Sequence, residues 1–263
     1  MPELPDVEVY RRYLASTALH RRITTMEVHS HRVLDGVSGK RLKSTLEGAV
    51  LEETARHGKY LFARLDKGQE LVLHFGMTGF LKYYKNDESK PGHERLRLRL
   101  ENGYSLVYDN QRLLGRVFLA PDRKRFIEEQ ELGPDALTVD FERFTSILER
   151  GRGAIKSTLM NQKMLAGLGN IYTDEILFQA RIHPKASVGS LGEDGLRTVY
   201  EQMRVVLEQA IDAQADPGRM PESFLLPHRE EEDSCPRCGG RVRKISLSGR
   251  ATYFCAACQG EAG

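Results

Sequence analysis

The sequence has no long apolar run: none of its 263 residues belong to a stretch of about 20 apolar residues, the length of a transmembrane helix. The first residues are polar and include acids, which argues against a signal or transit peptide. Internal repeats and low-complexity tracts are also missing. The sequence therefore predicts a cytoplasmic globular protein with no membrane partner, long enough for one large or two ordinary domains.

A strong excess of charge is missing as well, because the formal net charge is only +2. So small a value does not point to nucleic acid by itself, and a mixed solvated surface explains it equally well. The distribution of charge is more informative. Basic residues are dense at 237–250, whereas acidic residues collect at 230–233.

Cysteine is absent from most of the chain, and the four that occur form the pattern C-x2-C-x16-C-x2-C near its end. A disulfide framework would be spread through a secreted chain, so a local site is favoured. Four thiolates on two knuckles can close a tetrahedral shell around Zn²⁺, which predicts one structural zinc ion. The alternative is a redox-active C-x2-C pair, and the presence of two such pairs in a cytosolic chain argues against it. The predicted ligands are Cys235, Cys238, Cys255 and Cys258.

Residues 1–130 are predicted to form a mostly β domain, a sandwich or barrel, with a leading helix. Pro5 suits a first helical position, and apolar residues follow it at helical spacing. An Asn-Gly turn joins the last two predicted strands, in the first of which leucines face one side and arginines the other. The predicted strands are 60–66, 70–75, 95–101 and 104–109.

Residues 131–220 are predicted to be helical, and residues 221–263 to hold a connector and the cysteine module. The fold class is therefore α+β multidomain: a β-sandwich, a helical domain and a four-cysteine zinc finger. The connector, rich in proline, glycine and acids, is expected over 215–234. Helical periodicity is found at 140–151, 154–162, 170–182 and 193–214.

The segment "LAGLGNIYTDE" (165–175) combines two glycines with a helix start. Gly167 and Gly169 permit close backbone approach and unusual torsions. Asn170 is a good N-cap, and the free amides of a helix N-terminus attract an anion such as a DNA phosphate. The alternative is a helix–turn–helix corner in which the glycines serve packing alone.

Taken together, these motifs resemble those of the formamidopyrimidine-DNA glycosylase / endonuclease VIII family of bacterial base-excision repair. The "PELP" start and "GMTG" are closer to the formamidopyrimidine branch. The resemblance implies a helix–two-turn–helix DNA-binding domain and a bifunctional DNA glycosylase / AP lyase. Such an enzyme would act as a monomer on damaged double-stranded DNA of the nucleoid. The matching motifs are "PELPDVE", "HGKYLF", "HFGMTGFL", "AIKSTLMNQKMLAGLGNIYTDEILF" with "RIHP", and "SGRATYFCAAC".

The resemblance implies catalytic roles for Pro2, Glu3, Lys59 and Arg250. Pro2, freed by removal of Met1, would attack C1′ of the damaged nucleotide and form an iminium, beside which Glu3 would shuttle protons. An α-amine has a pKa of about 7.7–8.0 and is therefore partly neutral and nucleophilic at neutral pH. Lys59 would assist β-elimination, and Arg250 would hold phosphate and assist δ-elimination.

The resemblance also implies two groups of DNA-binding residues. One group fills the gap left by the everted base, and the other holds phosphates. The first group is Met77, Arg112 and Leu114, and the second is His93, Lys156 and Asn170.

The chain departs from the family pattern in ways that bear on the lesion. Leu114 replaces a phenylalanine, Asp6 replaces a glutamate, and "NQRLLG" stands where the branch has "DPRRFG". The stretch 215–234 is shorter than in 8-oxoguanine enzymes, where a mobile loop covers the everted base. The hypothesis is a preference for formamidopyrimidines, hydantoins, oxidised pyrimidines or abasic sites over 8-oxoguanine.

Three alternatives remain open on sequence alone. One is a related glycosylase for oxidised pyrimidines, hydantoins, single-stranded DNA or crosslinks, with little 8-oxoguanine activity. Another is a non-catalytic protein that binds damaged DNA. The third is an RNA- or ribosome-binding protein. The catalytic set argues against the non-catalytic binder, because a binder needs no proline at position 2. The β domain with its amino-terminal Pro-Glu argues against the RNA- or ribosome-binding protein.

Overall fold

The computed structural model describes residues 1–85, 89–151 and 153–260. The chain forms two compact units, one of Met1–Pro2 and Asp6–Glu131, the other of Glu3–Pro5 and Leu132–Gly263. The end of the predicted third domain, residues 261–263, lies outside the described residues. The predicted domain boundaries near 130 and 220 stay predictions.

Helices and strands occur in the order that the periodicity predicts. In the described part of the chain, no helix is both long and apolar enough to cross a membrane. The helices are α1 (Leu4–Thr17), α2 (Gly39–Leu46), α3 (Arg123–Glu129), α4 (Phe141–Leu148), α5 (Ile155–Leu159), α6 (Asn170–Gln179), α7 (Gly192–Asp212) and α8 (Ala256–Gln259). The strands are β1 (Ile23–Val28), β2 (Leu51–His57), β3 (Tyr60–Leu65), β4 (Glu70–His74), β5 (Gly79–Tyr84), β6 (Glu94–Leu100), β7 (Ser105–Asn110), β8 (Arg116–Ala120), β9 (Val242–Leu247) and β10 (Arg250–Cys255).

The first unit is a β-sandwich of two antiparallel sheets with strand orders β1-β6-β7-β5 and β2-β3-β4-β8. Residues of both sheets share one buried apolar cluster, because alternate side chains of each strand face inward. The leucines of β6 are buried as predicted. Arg97, on the opposite face, is also buried: only 6% of it is exposed, and it pairs with the buried carboxylate of Glu94.

The second unit is built around α6. Its consecutive residues 172–178 are all buried, so this helix has no polar face. Asp174 and Glu175 are therefore buried with the apolar residues beside them, and each needs polar partners. The core cluster around α6 includes residues of α4, α5 and α7 and also Leu4 from the start of the chain.

The stretch predicted as a connector is packed rather than loose. It contains the 3-10 turns Pro217–Arg219 and Leu226–His228, and it buries Phe224 and Leu225. Both Leu225 N and Leu226 N donate to the Glu175 carboxylate, at 3.1 and 2.7 Å. Burial raises the pKa of Glu175 to about 7, against the opposing effect of these bonds.

Candidate functional site

Glu3 places a buried carboxylate at the N-terminus of α6. Its Oε2 accepts hydrogen bonds from Gly169 N at 2.8 Å and Tyr172 N at 3.3 Å, and its Oε1 accepts one from Ile171 N at 2.9 Å. Amides in the first helical turn lack partners within the helix, and they lie at the positive end of its dipole. The anion at this helix start is therefore Glu3, where the sequence predicted a DNA phosphate.

The two glycines before α6 make room for the start of the chain. A Cβ on Gly169 would lie 2.3 Å from Glu3 Cδ, and one on Gly167 would lie 2.5 Å from Leu4 Cδ1. Gly167 also has φ +121°, which strains any side chain. The backbone bond from Leu4 N to Gly167 O, 3.1 Å, holds the same contact. The predicted close approach and unusual torsion are thus confirmed.

Asn170 is not the N-cap. Gly169 takes that place, and Asn170 is the first residue of α6. The Asn170 side chain reaches the zinc finger instead, where Nδ2 donates to Ala251 O at 2.8 Å. The predicted phosphate contact of Asn170 stays a prediction.

Lys156, predicted to bind phosphate, is 1% exposed and lies in a buried ionic cluster. Its Nζ donates to Asp174 Oδ1 at 2.5 Å and to Thr252 Oγ1 at 2.7 Å. Asp174 Oδ2 accepts from Arg229 Nη2 at 2.7 Å and from Tyr253 N at 3.2 Å. Burial lowers the pKa of Lys156 and raises that of Asp174, and the mutual attraction of the two groups opposes both shifts.

Arg250 is exposed at the tip of the β9–β10 ribbon, as predicted. It is the first residue of β10 and pairs with Leu247, the last residue of β9. Ser248 and Gly249 form the turn between them, with φ of 50° and 72°. A cleft of about 420 Å³ in this unit is lined by Arg250 and Lys156, together with polar residues of α5 and the turn after it.

The four cysteines of the finger fit a zinc ion. Their sulfurs all lie within 4.8 Å of one another, with Cys235–Cys258 at 3.8 Å and Cys238–Cys255 at 3.6 Å. A tetrahedral ion with Zn–S distances of about 2.3 Å has sulfur–sulfur edges of about 3.8 Å. All four thiolates are used, so no position is open for substrate. The ion supplies structure and not chemistry.

Three residues predicted to fill the gap of an everted base lie on two neighbouring loops of the first unit. Met77 and Leu114 are 40% and 46% exposed, unusual for large apolar side chains, and Arg112 is exposed too. Arg112 N donates to Thr78 Oγ1 at 3.2 Å, which ties the two loops together. A Cβ on Gly76 would lie only 2.7 Å from Leu114 O, so the loops also touch there.

Lys59 lies in the two-residue turn between β2 and β3, paired across by His57 and Tyr60. The pKa of His74 on β4 is lowered to about 4, mainly by burial and further by the positive charges of Lys59 and Arg116. His74 is therefore neutral at physiological pH. The predicted role of Lys59 in elimination stays a prediction.

His93 and Pro2 belong to the first unit. The His93 side chain is exposed, and its backbone N donates to Asp109 Oδ2 at 2.6 Å. Pro2 is buried and directly precedes Glu3. The nitrogen of Pro2 becomes an amine only when Met1 is removed.

Sequence reasoning missed the acid at the centre of the ionic cluster. Asp174 looked like an ordinary helical acid in "YTDE", because nothing in a single sequence marks which helix is buried on every side. The absence of an amphipathic pattern in α6 was the available signal. The bond between Ser157 Oγ and Ser248 Oγ, 2.9 Å long, was also missed.

Comparisons with known proteins agree with this geometry. Three family descriptions match in order: the formamidopyrimidine-DNA glycosylase N-terminal domain at residues 1–117, the H2TH domain of the same glycosylase at 132–220, and the zinc finger found in FPG and IleRS at 234–260. The formamidopyrimidine-DNA glycosylase of Pelotomaculum thermopropionicum is 33% identical over 98% of this chain and 99% of its own. The formamidopyrimidine-DNA glycosylase of Symbiobacterium thermophilum is 35% identical over 98% of this chain and 89% of its own.

Solved structures show the same similarity. Lactococcus lactis Fpg (MutM), in complex with DNA containing N7-benzyl-Fapy-dG, has a TM-score of 0.90 and 27% identity, covering 99% of this chain and 100% of that one. The same L. lactis enzyme, non-covalently bound to DNA with an AP site, has a TM-score of 0.89 and 29% identity at the same coverage.

Fold, site and comparisons together define an enzyme class, the DNA glycosylases with AP-lyase activity that act in base-excision repair. The predicted fold class and structural zinc are confirmed. The chain belongs to the formamidopyrimidine-DNA glycosylase family.

Proposed function

We propose that Pro2 and Glu3 carry out the reaction of this glycosylase. The freed Pro2 nitrogen attacks C1′, the bond from C1′ to the base breaks, and the base leaves with a proton. Opening of the sugar ring then leaves an iminium between Pro2 and C1′. Loss of a C2′ proton expels the 3′ phosphate, and Glu3 moves protons in these steps. Lys59 assists this β-elimination, and Arg250 assists δ-elimination of the 5′ phosphate.

The hydrogen bonding of Glu3 is the observation that carries this proposal. Three amides hold a carboxylate in place next in sequence to Pro2, and Gly169 leaves it room. A fixed carboxylate beside the nucleophile is the arrangement that proton transfer requires.

Borohydride trapping on abasic DNA tests the proposal. The processed protein should form a covalent adduct, because the iminium is reduced to a stable amine. Pro2→Gly, or protein with Met1 retained, should form none, and Glu3→Gln should form far less. Asp194→Asn, at an exposed position in the first turn of α7, is the matched acid control and should trap normally. An undiminished adduct with Met1 retained, shown by intact mass, would contradict the role of Pro2.

We further propose that formamidopyrimidines, hydantoins, oxidised pyrimidines and abasic sites are preferred over 8-oxoguanine. The packed connector supports this, because Phe224 and Leu225 are buried and Glu175 binds two of its amides. A segment so held is poorly suited to serve as a mobile cover. Single-turnover excision from matched duplexes is the test, and a clear preference for 8-oxoguanine opposite C would overturn the proposal.

The remaining proposals concern the state and place of action. The enzyme acts as a monomer on damaged double-stranded DNA, in the cytoplasm at the nucleoid. The named complexes of L. lactis Fpg with damaged DNA support damaged DNA as the partner. Phosphate contacts come from His93, Lys156, Asn170 and Arg250, and the gap is filled by Met77, Arg112 and Leu114. Light scattering of free and DNA-bound protein measures the state, and a dimer would contradict it.

A further inference from the structure

The β9–β10 ribbon cannot hold its own tip in place. A two-stranded ribbon is only marginally stable by itself. Zinc anchors its base, since Cys255 ends β10, whereas Arg250 begins that strand five residues earlier. Something else must fix the position of Arg250.

Helical residues bind each of the three residues that follow Arg250. Asn170 Nδ2 donates to Ala251 O at 2.8 Å. Lys156 Nζ donates to Thr252 Oγ1 at 2.7 Å, and Asp174 Oδ2 accepts from Tyr253 N at 3.2 Å. The ribbon is thus bound at three consecutive positions. Two of the residues that bind it, Asn170 and Asp174, lie one turn apart on α6.

Asp174 is the centre of this grip. Its side chain is fully buried and it binds Lys156, Tyr253 N and Arg229 together. Arg229 also stacks on the Tyr253 ring, 4.6 Å from its centroid. A buried carboxylate with so many donors fixes geometry, because losing a donor leaves a buried charge less well compensated.

A separate contact holds the other side of Arg250. Ser248, in the turn before it, shares a 2.9 Å hydrogen bond with Ser157 on α5. Arg250 therefore lies between two fixed points, the Ser248 side chain before it and the backbone of Ala251 and Tyr253 after it, while Arg250 itself stays exposed beside the polar cleft.

We propose that Asp174 and Ser157 are positioning residues that place the Arg250 guanidinium for its contact with a DNA phosphate. This inference rests on the proposed role of Arg250 and adds how that residue is aimed. Neither positioning residue needs to touch DNA. The proposal therefore predicts that their effects on DNA binding pass through Arg250.

A double-mutant cycle tests this on zinc-loaded full-length protein. The probe is a duplex with a tetrahydrofuran abasic analogue, which cannot be cleaved by the lyase. Arg250→Ala should weaken binding about 10- to 100-fold, the worth of one charged hydrogen bond. Asp174→Asn should weaken it about tenfold and Ser157→Ala about threefold in the wild-type background. In the Arg250→Ala background both effects should shrink to less than about twofold.

Each outcome has a separate meaning. If both substitutions weaken binding equally in the two backgrounds, Asp174 and Ser157 act independently of Arg250 and the positioning proposal is overturned. If Arg250→Ala alone leaves the affinity for this duplex unchanged, both the proposed phosphate contact of Arg250 and its positioning are overturned. Zinc content and thermal unfolding report whether Asp174→Asn folds, and if it does not, Ser157→Ala decides. Asp212→Asn, exposed at the end of α7, is the matched control and should bind like wild type.

Discussion

Replacing Gly169 by alanine should force the Glu3 carboxylate away from the N-terminus of α6. The new Cβ would lie 2.3 Å from Glu3 Cδ and 2.4 Å from Oε1, far inside contact distance. The backbone of Gly169 is extended, with φ −129°, so alanine suits the backbone, and the three atoms nearest to the new Cβ all belong to Glu3.

The expected cost follows from the three hydrogen bonds that hold the carboxylate. A hydrogen bond to a charged group contributes about 1.5–3 kcal/mol. Losing one or two of the three predicts a fall of about 2–5 kcal/mol in the free energy of unfolding. If Glu3 moves protons as proposed, trapping on abasic DNA should fall on the order of 10²-fold, because a displacement of about 1 Å removes the alignment that proton transfer needs.

Urea unfolding followed by circular dichroism measures the first effect, and borohydride trapping measures the second. Gly189→Ala is the matched control, because no atom of the described residues lies within 4 Å of its would-be Cβ. In a Glu3→Ala background the clash is gone, so Gly169→Ala should cost less than about 1 kcal/mol. An equal cost in both backgrounds would refute the reasoning.

Further expectations concern the metal and two titrating groups. Chelating zinc, or Cys238→Ser, should unfold the β9–β10 ribbon and abolish tight DNA binding, measured by zinc content and fluorescence anisotropy. Burial raises the pKa of Glu175 from 4.5 to about 7, so between these pH values the folded state keeps a proton that the unfolded state releases. The free energy of unfolding should therefore fall by about 3 kcal/mol as the pH rises from 4.5 to 7. Glu175→Gln should flatten this slope in urea unfolding at pH 5 to 7.5, and parallel curves would contradict it. Lys59→Gln should raise the pKa of His74 from about 4 toward its ordinary value, because one of the cations that lower it is removed. NMR titration of the imidazole ring measures this, and an unchanged pKa would show that the Lys59 charge does not act on His74.

The sequence predicted the elements that depend on local pattern. The strand 95–101 is an example, since alternating leucines and an Asn-Gly turn gave a hairpin that the structure places at β6 and β7. The cysteine spacing likewise predicted a metal site whose sulfurs do converge. These features are encoded over a few residues, so periodicity and spacing are enough to find them.

Contacts between distant segments could not be predicted in that way. The N-terminus of α6 was correctly read as an anion site, but nothing local indicates that its anion comes from Glu3, over 160 residues away. Lys156 was assigned to phosphate by resemblance, while its buried pairing with Asp174 depends on how two helices and the ribbon pack. The hydrogen-bond and ion-pair partners of these polar groups are determined by the tertiary structure.

The membership of Glu3–Pro5 in the second unit has a consequence for how the protein is made. These residues are synthesised before α6, and the α6 amides that receive Glu3 follow about ten to thirty seconds later at 5–20 residues per second. Until then the beginning of the chain has no docking place, and an aminopeptidase can reach the bond between Met1 and Pro2. Folding afterwards buries Pro2. The order of synthesis therefore leaves an interval in which Pro2, the proposed nucleophile, can be freed before it is buried.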